Sequence, residues 1–219
     1  MSLHLQREIH SLKRHLLSLC ALVEDQVQMA VRALLERDAE AAAAVEQRDA
    51  EIDHREVDVE EECLKTLALY QPVAGDLHLV VAALKINNDL ERIGDMAVNI
   101  ARKAAACAKE PAVEVPFDIG GMWEKTQAML RDSVDAMVNV DAPLAHRVCL
   151  RDDEIDRMKH EFRVGIEALI RQHPDRTGAL LRVMAATRNL ERIADCATNI
   201  AEDVIYMIEG RISRHRRED

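Results

Sequence analysis

The sequence predicts an all-α protein made of two tandem, related three-helix bundles, with six long helices that arise from an internal duplication. Three observations predict this fold class. The composition favours helices, apolar residues recur every three or four positions along most of the chain, and a twelve-residue segment returns one hundred residues later.

The composition favours helices over strands and is typical of a folded, soluble protein. Of the 219 residues, 48% are hydrophobic and 32% are charged, but only one tryptophan, two tyrosines and two phenylalanines occur. Sheets depend on aromatic and β-branched side chains, whereas the helix formers alanine, leucine, glutamate and arginine dominate here. The chain is long enough to bury one large core or two small ones.

The first half of the chain is predicted to form three helices, each roughly 45 Å long. Apolar residues at spacings of three and four predict helices over residues 3–37, 39–70 and 76–109. Pro72 and Gly75 separate the last two helices, because neither residue continues a helix easily. Asp76 is predicted to cap the third helix.

The second half is predicted to repeat this arrangement after a short linker. Prolines and glycines concentrate around this linker, so we place the first bundle, the linker and the second bundle at residues 1–110, 111–117 and 118–212. The fourth helix is expected to end near Val140, and Asp141 with Pro143 predicts the start of the fifth. The sixth helix is expected over residues 177–209, with Gly210 just beyond it.

One repeated segment relates the two halves of the chain. Residues 90–101 return as residues 190–201, with nine of the twelve positions identical. The identical positions include a glutamate, an arginine, an aspartate and an asparagine. Core packing alone would preserve the spacing of the apolar residues, but it would not preserve four polar residues. The role of Glu91 and Asp95 is therefore expected to be carried out twice.

Each repeat carries two pairs of carboxylates spaced four residues apart, a spacing that places both members on one helix face. In the third and sixth helices these pairs lie opposite the apolar stripe, so we expect them to face solvent, another helix or a bound ion. Residues 48–53 align with residues 151–156 and supply the other pairs from neighbouring helices. The four pairs are Glu91/Asp95, Asp49/Asp53, Glu191/Asp195 and Asp152/Asp156.

A metal ion is the expected partner of these carboxylates where two pairs meet. Like charges at this spacing cost roughly a few tenths of a kcal/mol per pair, and a cation removes that cost. Oxygen ligands suit Mg²⁺, Ca²⁺, Mn²⁺ or iron better than structural zinc, which prefers Cys and His. The alternative is an ordinary charged surface, in which Arg92, Arg188 and Arg192 form local ion pairs with acids three residues away.

Catalytic motifs are scarce in this sequence. Glu51 and His54 match the Glu-x-x-His of di-iron bundles, but Arg157 occupies the equivalent of His54 in the second repeat, so we attribute the match to chance. The sequence contains no Gly-x-Ser-x-Gly and no phosphate-binding loop. A binding protein is therefore expected rather than an enzyme.

The net charge narrows the partners that we expect for this protein, and the cysteine pattern indicates its compartment. The net charge of −11 disfavours nucleic acid, since phosphate contacts need a concentrated basic surface. Five scattered cysteines without a Cys-x-x-Cys pair indicate a reducing compartment. The sequence shows neither a signal peptide nor an apolar run approaching the ~20 residues of a membrane span. We expect a cytoplasmic protein that is at most peripheral to a membrane.

The repeated segments resemble the paired signatures of the PhoU family. The resemblance rests on Asp-Leu-Glu-Arg-Ile-Gly-Asp at residues 89–95 and Asn-Leu-Glu-Arg-Ile-Ala-Asp at residues 189–195. Gln-Pro at 71–72 with Asp-Leu at 76–77, and Val-Ile-Tyr at 204–206 before a glycine, add to it. It covers nearly the whole chain, with a departure at Ala194, where the first copy has Gly94.

Membership of such a family implies two three-helix bundles, often in a homodimer, and a regulatory role without catalysis. PhoU-like proteins act beside the high-affinity phosphate ABC transporter, with its ATPase PstB, and the phosphate-sensing histidine kinase PhoR. They are negative regulators of that system when phosphate is plentiful. Some members bind iron or zinc clusters and others Mg or Mn, through paired Glu/Asp-x-x-x-Asp motifs.

Carried over residue by residue, the resemblance implies two metal sites. The first would be formed by Asp49, Asp53, Glu91 and Asp95, and the second by Asp152, Asp156, Glu191 and Asp195. The residues expected to support them are Asn88, Arg92, Asn99, Arg192 and Asn199. Two other functions stay open at this point: a carboxylate-bridged metalloenzyme in a helical bundle, and a structural helical adaptor without metal.

Overall fold

Six long α-helices make up nearly all of the structure, a computed structural model that describes residues 3–209. They are α1 (Leu3–Glu36), α2 (Ala39–Tyr70), α3 (Gly75–Ala108), α4 (Ile119–Asn139), α5 (Ala142–Gln172) and α6 (Thr177–Glu209). A 3₁₀ turn, Pro174–Arg176, precedes α6, and residues 3–209 contain no strand. The predicted all-α fold of six long helices is confirmed. Gly210 and the chain end lie outside the described residues.

Each half of the chain forms a bundle of three helices. The helices α1, α2 and α3 pack against one another, and α4, α5 and α6 do the same. Short turns join consecutive helices within each bundle, which makes neighbours antiparallel. The segment between α3 and α4 links the two bundles. The exact domain boundaries given above stay a prediction.

The two bundles pack against each other through α3 and α6, with a smaller contribution from α1 and α4. Charged side chains cross this interface. Lys85 of α3 places its Nζ 3.1 Å from Asp203 Oδ1 of α6. Glu24 of α1, only 5% exposed, accepts a hydrogen bond from the guanidinium of Arg131 on α4. The interface is therefore apolar in part and joined by paired charges at both helix contacts.

The helix α3 is covered on most of its circumference, because it contacts α1, α2 and α6. The predicted apolar stripe is fully buried, and Leu90, Ile93, Ala97 and Ile100 each show 0% exposure. In the central part of α3, one narrow strip stays exposed. It consists of Asn88, Arg92, Asp95, Asn99 and Arg102. Asp95 lies on this strip as predicted, whereas its pair partner Glu91 is half-buried beside it.

Side-chain caps fix the starts of several helices. Asp38 accepts hydrogen bonds from the backbone N–H groups of Glu40 and Ala41, both at 2.9 Å, at the start of α2. Asp141 accepts from Leu144 N–H at 2.9 Å, which confirms the predicted start of α5. These carboxylates satisfy N–H groups that have no partner within the helix.

The prediction that Asp76 caps α3 is wrong. The helix begins one residue earlier, at Gly75, and no side chain caps it. Ala74 precedes it with a φ of 49°, so the turn after Pro72 leaves the helix-capping position to a residue without an acceptor side chain. Asp76 instead lies in the first turn, where its charge interacts favourably with the positive end of the helix dipole.

The fold also shows the state of the cysteines and whether a described helix could cross a membrane. All five cysteines are free thiols; Cys149 is half-buried and the other four are buried. They pack as small core side chains. Within residues 3–209, no helix combines the length and the apolar character needed to cross a membrane.

Replacement of Asp38 by alanine is expected to destabilise the protein by about 1 kcal/mol, because two N–H groups at the start of α2 lose their acceptor. Urea denaturation followed by circular dichroism measures this change. Asp38→Ser, which keeps an acceptor oxygen at the capping position, is the control and should recover most of the loss. Equal destabilisation by both substitutions would contradict the capping role.

Candidate functional site

The structure brings both carboxylate pairs of the first repeat together between α2 and α3. Burial raises the pKa of Asp49, and the negative charges of Asp53 and Asp95 raise it further. Burial also raises the pKa of Glu91, followed by the charges of Asp95, Asp53, Glu56 and Asp49. Carboxylates affect each other's pKa in this way only over short distances. The two pairs therefore lie near enough to one another to interact electrostatically, and their convergence on one ion stays a prediction.

A fifth carboxylate, Glu56, belongs to the same group and was not predicted. It lies one turn after Asp53 on α2, and its pKa is raised by burial and by the charges of Glu60 and Asp53. Asn87 of α3 donates its Nδ2 to Glu56 Oε1 at 3.0 Å. The signal was available in the sequence, since a spacing of three also places side chains on one helix face. We call the five acids, Asp49, Asp53, Glu56, Glu91 and Asp95, the first acidic cluster.

Two buried amides lie against the first acidic cluster. Gln26 of α1 donates its Nε2 to Asp49 Oδ1 at 3.1 Å and to Val45 O at 3.2 Å. Both Gln26 and Asn87 are 1% exposed. Their side-chain carbonyl oxygens have no hydrogen-bond partner among residues 3–209. The two amides that bond acids of the cluster thus each keep a carbonyl oxygen that is buried and unsatisfied.

Close packing beneath the cluster depends on Gly94. A Cβ atom at this position would lie 3.3 Å from Ile52 Cγ2 of α2 and 3.6 Å from the unpartnered Oε1 of Gln26. The absence of a side chain therefore lets α1 and α2 approach the backbone of α3 directly before Asp95. At the equivalent position of the second repeat, Ala194 is buried.

Across the described residues 3–209, no lysine, arginine or histidine forms an ion pair with any acid of the first cluster. Arg92, three residues before Asp95, pairs instead with Asp89 at 2.7 Å. Arg102 pairs with Glu46 at 3.0 Å. The local ion pair considered as an alternative explanation of Asp95 does not form.

The four acids of the second repeat also lie near enough to interact electrostatically, between α5 and α6. Burial raises the pKa of Asp195 to about 6, with the charges of Glu191, Asp152 and Asp156 adding to it. Burial and the charge of Asp156 raise the pKa of Asp152. Glu191 is only 9% exposed. We call Asp152, Asp156, Glu191 and Asp195 the second acidic cluster.

A lysine lies within the second acidic cluster. Lys159 donates its Nζ to Glu191 Oε1, and the same Nζ lies 3.4 Å from Asp156 Oδ1. The hydrogen bond to Glu191 raises the pKa of Lys159, so the ammonium group stays charged. Thr198 donates its hydroxyl to Asp152 Oδ1 at 3.3 Å. Sequence reasoning missed Lys159, although its place three residues after Asp156 sets it on the acidic face.

Most of the predicted supporting residues lie away from the two acidic clusters. Asn88, Arg92 and Asn199 line a groove between α3 and α6, together with Lys85 and Asp203. Asn99 is exposed on α3, and Arg192 is exposed on α6. The groove is where the two bundles meet, whereas the acidic clusters lie where α2 meets α3 and α5 meets α6.

The donor atoms of the first cluster suit a hard cation, although residues 3–209 contain no group of three or more His, Cys, Asp or Glu side chains arranged to hold a metal ion as they stand. Five carboxylates and two unpartnered carbonyl oxygens are ligands that Mg²⁺, Ca²⁺ and Mn²⁺ accept. The eight-residue metal assignment stays a prediction. Glu51 and His54 are both exposed on α2.

The pKa of Asp195 predicts a pH dependence of stability. Its value of about 6 lies above the ordinary value of 3.8, so the folded chain binds more protons than the unfolded chain between these pH values. The contribution of Asp195 to stability therefore falls as the pH rises from about 4 to about 7. Asp195→Asn should unfold at higher urea concentration than the wild type at about pH 7.5, and the difference should shrink towards about pH 4.

The urea midpoints are measured in the presence of a chelator, so that metal does not contribute. Asp58→Asn is the control, because this exposed aspartate of α2 lies outside both clusters. A pH-independent difference between Asp195→Asn and the wild type would contradict the raised pKa.

Comparisons with known proteins agree with the fold and the duplication. The family model described as PhoU domain matches this chain twice, over residues 16–104 and 119–204. The phosphate-specific transport system accessory protein PhoU homologue of Pseudomonas putida is 38% identical over 212 residues, which cover 95% of this chain and 82% of the relative. The corresponding homologue of Aquifex aeolicus is 36% identical over 210 residues, covering 96% and 95%.

Solved structures show the same architecture. The crystal structure of PhoU from Pseudomonas aeruginosa superposes with a TM-score of 0.88 at 36% identity, covering 94% of this chain and 99% of that one. The phosphate transport system regulatory protein PhoU from Streptococcus pneumoniae gives a TM-score of 0.85 at 27% identity, covering 95% and 98%. With both bundles matched by the PhoU domain, the chain belongs to the PhoU family, as the repeated segments predicted.

Proposed function

We propose that this chain is a negative regulator of phosphate uptake and of phosphate-starvation signalling. The observation that carries the proposal is the match of both bundles to the PhoU domain. The similarity covers at least 94% of this chain in relatives named as accessory or regulatory proteins of phosphate transport. The family is non-enzymatic, which removes the metalloenzyme alternative. The exposed Glu51 and His54 have no second copy with which to form a di-iron site.

The regulator would act by contact with the phosphate ABC transporter ATPase, PstB, and with the sensor histidine kinase, PhoR, on the cytoplasmic side. The net charge of −11 supports contact with basic surfaces, since complementary charge steers association and selects partners. A homodimer is part of the same proposal. Nucleic acid is not among the partners, because the acidic balance opposes phosphate contacts.

Metal ions would bind through the paired Glu/Asp-x-x-x-Asp motifs, with iron, zinc, Mg or Mn as the candidates. The support is the convergence of the carboxylates and the absence of an ion-pair partner for the first cluster among residues 3–209. A bound cation would neutralise the repulsion between α2 and α3 and stabilise their packing. Its role would therefore be to fix the shape of a surface and not to catalyse a reaction.

The regulatory role is tested by deletion of the gene in its own host, with a reporter under a phosphate-starvation promoter. We expect reporter activity at high phosphate, where the wild type is silent, and silence on complementation with the full chain. Co-purification of tagged chain with the transporter ATPase and the kinase tests the contacts. Unchanged reporter regulation together with no co-purification of either partner would refute the proposal.

The metal component is tested by elemental analysis of protein purified without chelator. The double variant Glu91→Gln/Asp95→Asn should retain much less metal than the wild type, since two carboxylate ligands are lost. Glu36→Gln/Glu114→Gln removes the same charge at exposed positions outside both clusters and should retain wild-type metal content. Equal metal content in all three proteins would favour a helical adaptor that binds no metal through these motifs.

A further inference from the structure

We propose that the two acidic clusters are chemically unequal: the first binds a divalent cation, and in the second the ammonium group of Lys159 takes the place of that cation. The inference rests on the metal binding in the proposed function and goes beyond it. It assigns cation binding to one bundle and predicts one bound ion per chain where the paired motifs alone predict two.

Equivalent positions carry opposite charges in the two clusters. Glu56 follows Asp53 by three residues, and Lys159 follows Asp156 by three residues, in segments that align across the repeat. The first cluster therefore holds five carboxylates, whereas the second holds four carboxylates and one ammonium group. A single position changes the formal charge of the group by two units.

The second cluster is satisfied by donors from its own chain. Lys159 contacts Glu191 and Asp156 at once, with the Nζ of this one side chain lying between acids of α5 and α6. The Thr198 hydroxyl donates to Asp152. An ammonium group attached to the chain is held there without loss of translational freedom, and it repels an incoming cation.

The first cluster lacks these donors. The residue that corresponds to Thr198 is Val98, which has no hydroxyl, and Glu56 stands where the second repeat has Lys159. Among residues 3–209, no cationic side chain forms an ion pair with its five acids. Gln26 and Asn87 donate hydrogen bonds to Asp49 and Glu56, and the charge of Arg102 lowers the pKa of Asp49 without forming an ion pair with it. The repulsion that remains is left to be relieved by an ion from solution.

Two buried amides that bond acids of the first cluster each keep an unpartnered carbonyl oxygen, an acceptor that a cation would satisfy. Gln26 and Asn87 are nine-tenths buried or more, and each bonds an acid of the cluster through its amide nitrogen. The orientation of Gln26 is fixed, because both partners of its Nε2 are oxygen acceptors. Its carbonyl oxygen therefore faces the backbone next to Asp95 as an acceptor. Amide carbonyls are regular ligands of hard cations.

The second bundle has no such oxygens at the corresponding positions. Met129 lies 23 residues before Asp152, as Gln26 lies 23 residues before Asp49. Thr187 corresponds to Asn87, and its hydroxyl donates to Met184 O at 3.0 Å. The features that favour a cation in the first bundle are each replaced in the second by a satisfied or apolar side chain.

Titration of the metal-free full chain with Mn²⁺ tests this inference, with calorimetry for the stoichiometry and electron paramagnetic resonance for the free ion. The wild type should bind one Mn²⁺. Lys159→Glu, which makes the second cluster like the first, should bind two, and Glu56→Lys should bind none. Lys65→Glu makes the same charge change on an exposed face of α2 and should leave one site. Circular dichroism verifies that each variant is folded.

Two equal sites in the wild type would overturn the inference, and so would one site that survives Glu56→Lys. A folded Lys159→Glu variant that still binds one ion would also overturn it. If that variant does not fold, Lys159→Met removes the ammonium group without adding charge and must show the second site. Failure of every protein to bind Mn²⁺ would overturn the inference and the metal component together, whereas the reporter assay tests the regulatory role separately.

Discussion

The burial of α3 and α6 on three sides is the constraint on which the rest of the structure depends. Each of these helices packs against two helices of its own bundle and against the other bundle. Full burial of one Leu or Ile side chain contributes roughly 1.5–3 kcal/mol, and α3 buries Leu90, Ile93 and Ile100 completely. Repulsion within a carboxylate pair costs only about a few tenths of a kcal/mol. Core packing therefore fixes the helix rotation, and the acids are brought together as a consequence.

The duplication keeps this scaffold but not its electrostatics. Both bundles place four acids of the paired motifs between the second and third helices of the bundle, because the same apolar positions set the same helix rotations. Single substitutions then decide how each acidic group is neutralised. Lys159 supplies an internal cation in the second cluster, while Glu56 adds a further negative charge to the first. Two halves with one fold can therefore differ in what they bind.

Much of the fold could be predicted from local patterns, but the candidate site only in part. The break at Pro72, the cap at Asp141 and the apolar stripe of α3 follow from backbone chemistry and helical period, which are local properties. Asp76 was misassigned because the preceding turn determines which residue occupies the capping position. Glu56 and Lys159 fall outside the predicted carboxylate pairs, because those pairs are defined by a spacing of four, although a spacing of three shares the face as well.

The sequence alone determined the helices, their repetition and the face on which the paired acids lie, since each of these depends on residues a few positions apart. Tertiary structure alone decided that α3 packs on α6, that Glu24 meets Arg131 across the two bundles, and that Lys159 reaches Glu191 while the first cluster has no such cation among residues 3–209. These facts join residues separated by tens of positions, and no local period records them. The spacing of the paired acids thus predicted the helix faces on which the negative charges lie, but not which groups neutralise those charges.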